Sequence, residues 1–118
     1  MTLAIGATLL GSAPTAQASC LAMTPAQQRA RAAVIFDGVA LDGPTATGIQ
    51  RFRTTRYLKG SGPSIVRVDT GYKVRPGGGG SITSVSLVVR RGEKWRIFAR
   101  GSARKVLSSN VCDGSRRR

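Results

Sequence analysis

The stretch "AAVIFDGVAL", residues 32–41, is the reading on which the fold turns. Its valines, isoleucine and phenylalanine are the residue types that fit a pleated, half-buried surface, and the "DGP" that follows stops the run with turn chemistry. It is expected to be a strand. Working outward, "IQRFRTTRYLKG" (49–60) is expected to be a second one. There Phe52, Thr54 and Leu58 share one face at period two, but Arg56 falls on that face as well. A bulge near Arg56 would resolve the conflict by shifting the register. "SIVRVDT" (64–70) is expected to be a third strand, and "RPGGGG" (75–80) follows it. Four consecutive glycines lose too much backbone entropy to sit inside an element, so a flexible loop is expected there. It is not a phosphate cradle, because no Lys-Ser/Thr pair follows at the spacing of a P-loop.

"SVSLVVRRGEKWRIFARG" (84–101) reads as a hairpin turning around Gly92 and Glu93, with Trp95, Ile97 and Ala99 alternating with Arg96, Phe98 and Arg100. The last strand, "KVLSSNVC" (105–112), sets Leu107, Ser109 and Val111 on one side and ends at Cys112. On the N-terminal side, Thr24 is a good N-cap, Pro25 suits the first helical position, and Gln27 completes a capping box. A short helix over 25–32 follows, mostly alanine in its apolar content and able to cover only the end of a core. The expected fold class is mainly β: a five-stranded, OB-like closed barrel with one short N-terminal helix.

The first 19 residues, "MTLAIGATLLGSAPTAQAS", carry no charged side chain. A short apolar run over 3–10 is followed by small residues and an Ala-x-Ala site at Ala16 and Ala18. That is the pattern of an export signal, much too short to span a bilayer. The basic n-region is missing, which leaves room for a translation start upstream of Met1. The expected organisation is a signal peptide over 1–18 and one domain over 19–118, secreted or otherwise extracytoplasmic, with no transmembrane segment. An exported chain with two cysteines, Cys20 and Cys112, favours one disulfide. A lipid anchor on Cys20 fits poorly, since Gln17 stands where a lipoprotein signal has an aliphatic residue.

In order along the chain, "AAVIFDGVA" (32–40), "FRTTRYLKG" (52–60), "RGEKWRIFARG" (91–101) and "LSSNVC" (107–112) resemble the bacterial members of the tissue inhibitor of metalloproteinases family, which share the netrin-like version of the OB-fold. The resemblance covers residues 20–116. The family opens its mature chain with Cys-x-Cys, and the resemblance implies that Cys20 matches the second of these and pairs with Cys112. The first, which chelates the protease zinc in the animal inhibitors, falls on Ala18. Its disulfide partner falls near Val85 and Ser86. Both halves of one disulfide are thus absent together, and the chelating residue of an inhibitor with them.

There is no histidine, and the acidic set is Asp37, Asp42, Asp69, Glu93 and Asp113, with no spacing that suggests an acid–base pair. Catalysis is not expected, and no cofactor or metal site is implied. The formal charge of +14 rests on 15 arginines and four lysines. Arg51 and Arg53 share a strand face, Arg116 to Arg118 form a basic tail, and Arg90, Arg91, Arg96 and Arg100 lie on the late hairpin. These last four are the candidate polyanion-binding residues. A solvated basic surface with no partner is the plainer reading of the same charge. The expected function is a secreted, non-catalytic binding module whose partner is an unidentified protein or anionic polymer. The alternatives are a metalloprotease inhibitor acting through its N-terminus and a polyanion-binding surface protein.

Overall fold

A computed structural model describes residues 23–75, 80–81 and 86–118. The signal-peptide region, Ala18, Cys20, Val85 and the centre of the glycine run at 76–79 lie outside the described residues. Helix α1 spans Pro25–Arg31 and is closed by the expected capping box, in which Gln27 N donates to the Thr24 hydroxyl and Thr24 N donates to the Gln27 side chain. Its last carbonyls are met by the Lys59 ammonium, 2.8 Å from the Arg29 oxygen. None of its residues is buried.

Eight strands follow: β1 (Val34–Ala40), β2 (Ile49–Lys59), β3 (Ile65–Asp69), β4 (Lys73–Val74), β5 (Gly80–Ser81), β6 (Lys94–Ala99), β7 (Val106–Ser108) and β8 (Arg116–Arg117). Six of them form one sheet in the order β7-β3-β2-β1-β6-β8, while β4 and β5 pair separately. The described residues are mainly β, with one α-helix. All pairings in the large sheet are antiparallel except β3 with β7. The sheet curls, and an antiparallel bridge between Arg100 and Ser108 joins the chain just after β6 to β7.

Inside the curl sits the core of Phe36, Phe52, Val66, Val68, Leu87, Val89, Ile97 and Leu107, all 0–1% exposed. Phe36 meets Phe52 edge-on at 5.9 Å between ring centroids and Tyr57 at 6.2 Å. The expected irregularity in β2 is present. Its register against β1 shifts between Asp37 and Gly38 and again between Ile35 and Phe36, which leaves Thr55 and Leu58 without partners in the ladder. The first shift turns Arg56 outward and brings Tyr57 onto the core. Leu58, expected inside, is 41% exposed instead. Gly38 is needed at this bulge, since a Cβ there would stand 2.9 Å from the Arg53 carbonyl oxygen.

Three further expectations need correction. Residues 86–90 form no ladder with β6, so the late hairpin has only its second arm. Leu87 N donates to the Thr70 oxygen and Val89 O accepts from the Gln50 amide, and this arm drops Leu87 and Val89 into the core while β6 pairs with β1. The strand expected over 105–112 is β7, which ends at Ser108. Asn110 then caps a 3₁₀ turn, Val111–Asp113, by accepting from Cys112 N, and Asp113 accepts in return from Asn110 N. Such local side-chain bonds compete with a strand ladder, and Val111 is left 41% exposed. Gly80, expected in a loop, pairs with Val74 in β5.

Candidate functional site

Outward-facing residues of the sheet carry most of the site's chemistry. Even-numbered positions of β1 point into the core, so Ile35, Asp37 and Val39 lie on the other face, where Ile35 is itself buried with Ala32 and Phe98. Across the ladders Asp37 stands between Arg56 of β2 and Arg96 of β6, and Val39 between Arg53 and Lys94. A row of cations thus flanks β1 on each side, with a lone carboxylate between them.

That carboxylate is heavily used. Arg96 grips Asp37 through two parallel bonds, Nε to Oδ1 at 2.7 Å and Nη2 to Oδ2 at 2.9 Å. Arg118 adds a third bond to Oδ2 at 2.9 Å, and Arg56 stands 3.8 Å away. Both Asp37 and Arg96 have side chains only 17% exposed, so this pair is far less screened than a surface contact. The Arg96 guanidinium holds the Asp37 carboxyl below the usual carboxylate range, against the opposing effect of burial, and the Arg96 guanidinium is raised in turn.

Beside this cluster lies an open depression of about 410 Å³. Its floor is Asp37, Gly38 and Val39, and its sides are Thr55 on β2 and Lys94, Trp95 and Arg118 on the other. The bulge that exposes Thr55 therefore shapes one wall of the site. The Trp95 indole is fixed by donating to Glu93 at 3.1 Å, and Glu93 also accepts from Arg90 N and Arg117.

The four arginines singled out in the sequence do not form one cluster. Arg90 and Arg91 lie at the turn before β6, and Arg100 lies just past its other end, with six strand residues between them, roughly 20 Å. Arg96 is bound to Asp37, and Arg100 pairs with Asp113 at 3.4 Å. The residues that do come together are Arg53, Arg56, Lys94, Arg96 and Arg118. Arg53 was legible as an outward strand residue, but the gathering role of Asp37 had no local signal. Two aromatics are committed to the fold: Tyr57 packs on the core and donates to the Pro63 oxygen, and Phe98 is buried under the Arg116 guanidinium.

Every carboxylate has its own separate duty. Asp42 holds Arg51 by two bonds, which keep it below the usual range, Asp69 accepts from Gly71 N, and Glu93 and Asp113 close turns. Among the described residues no group of three or more Cys, Asp or Glu side chains comes together to hold a metal. No described helix is long and apolar enough to cross a membrane. No model of a known family, no curated protein and no solved structure matches this chain.

Proposed function

We propose that this chain is an exported, non-catalytic binding module built on an OB-like barrel and resembling the inhibitor domain of the tissue inhibitors of metalloproteinases. The barrel reading is supported by the path β1-β2-β3-β7, with β3 and β7 parallel, and by the bridge that returns from β7 to the end of β6. Five of the eight strands among the described residues lie on that circuit, which supports the five-stranded reading. The two-residue strands β4, β5 and β8 are additions to it.

The observation that carries the functional reading is the separate employment of all five carboxylates, each in a structural contact, beside an open cationic depression. A general acid or base needs a group free to exchange its proton with substrate, and a paired, lowered carboxylate is a poor one. A surface with many more cations than carboxylates is suited to holding an acidic partner.

Because the chelating cysteine of the inhibitor pattern falls on Ala18, the reading does not include zinc-protease inhibition through the amino terminus. Titrating the exported protein against a panel of zinc metalloproteases should give no inhibition. Potent inhibition abolished by one extra alanine ahead of the mature first residue would overturn the reading in favour of an inhibitor. Among the described residues there is no free cysteine, in keeping with a bond from Cys112 to Cys20. Non-reducing mass spectrometry should find the exported protein about 2 Da lighter than its reduced form, with each sulfur joined once. Two free thiols would remove the disulfide and weaken the resemblance.

A further inference from the structure

We propose that the depression over β1 and the cations flanking it bind a linear phosphodiester chain, with Lys94 and Arg118 lining one side and Arg53 and Arg56 projecting from β2 beside Thr55 on the other. The geometry supplies three reasons. First, cations flank β1 on both sides, Lys94 and Arg118 lining the depression and Arg53 and Arg56 standing beside it on β2, while the floor holds one carboxylate, whose charge Arg96 already neutralises through two bonds. Second, Arg53 and Lys94 are exposed or rim the depression, and among the described residues neither has a carboxylate within ion-pairing reach. Arg56 touches Asp37 only at 3.8 Å with its side chain 65% exposed, so a ligand can recruit it. Third, outward residues two apart on a strand repeat at roughly 6.8 Å, comparable with the reach between successive phosphodiesters in an extended chain.

Arginine's planar fork can meet two oxygens of one group in a phosphodiester as it does in a carboxylate, so a carboxylate polymer is the comparison that separates the two classes. The phosphodiester's two non-bridging oxygens offer that pair along the whole chain. The half-buried Val39 on the floor gives the sugar or glycerol carbons between phosphates an apolar surface. The inference rests on the binding-module reading for the bound chain staying intact. Cleavage of a probe would defeat that reading, whereas failure to bind would defeat only this one.

The test uses the full mature chain with two probes, a single-stranded oligothymidylate and a poly(glycerol phosphate), against polyglutamate of matched length. Affinity should fall linearly on a log–log salt plot with a slope of roughly −2 to −3, the loss expected for three or four contacts at about 0.7 each. Arg53→Gln together with Lys94→Gln should make the slope shallower by about 1.4, two contacts' worth, with unchanged thermal unfolding. Arg104→Gln with Lys105→Gln, which removes the same charge from the exposed loop before β7, should leave the slope as it was. Preference for one phosphodiester probe over the other would identify the source of the ligand, and either preference supports the site. Equal binding of polyglutamate would overturn the phosphodiester assignment. An unchanged slope in the Arg53/Lys94 variant would overturn the location.

Discussion

Phe36→Ala is expected to destabilise the fold by about 3–5 kcal/mol, the range for truncating a buried aromatic ring. Phe36 is 0% exposed and sits between Phe52 and Tyr57, so its loss opens a cavity lined by rings that cannot collapse independently. Domains of this size have about 5–15 kcal/mol in all, so much of the protein's stability rests on this one side chain. The companion substitution is Leu58→Ala, expected to cost less than about 0.5 kcal/mol because Leu58 is 41% exposed. Urea denaturation of the two variants tests the register of β2 as well as the core. With no bulge at Thr55, Leu58 would be inside and Tyr57 outside, and the two costs would come much closer together. A large loss from Leu58→Ala would therefore reject the register shift.

That register was partly legible in the sequence. Arg56 on the face of Phe52 and Thr54 was a contradiction that only an extra residue could remove, and the structure places the extra residue at Thr55. The helix start was legible for a similar reason: Thr24, Pro25 and Gln27 act on one another within a single turn. The arm at 86–90 was not legible. Leu87 and Val89 alternate with exposed neighbours as strand residues do, but alternation states only that they are buried, and here burial comes without a ladder. Its anchors, Thr70 and Gln50, lie on distant parts of the chain. The site shows the same division. An excess of arginine was plain from composition, and its assignment to the late hairpin followed from sequence neighbours. The gathering instead depends on Asp37, which is 59 positions from Arg96 and 81 from Arg118. The pairing of β1 with β6 and of β6 with β8 brings those groups within 3 Å.

Asp37→Asn is expected to lower stability at neutral pH by about 1.5–3 kcal/mol, the range for hydrogen bonds to a charged group. The sign of the accompanying pH effect follows from the lowered carboxyl. A group more acidic in the folded state than in the unfolded one contributes stability above its unfolded value, about 3.8 for Asp. That contribution is lost as pH falls through the lower, folded value. The unaltered protein should thus lose stability steadily below about pH 4. Asp37→Asn should show a smaller decline, because part of what acid removes is already gone. Asp42 and Glu93, both also lowered by their partners, supply the decline that remains. Urea midpoints measured at pH 7 and pH 2.5 give the comparison directly. The gap between the two proteins should narrow towards zero at the acid end, where protonated Asp37 and asparagine are both uncharged. If the gap is equally wide at both values, the cost of the substitution lies in packing, and the ionised pair between Asp37 and Arg96 does not hold the outer face of the sheet together.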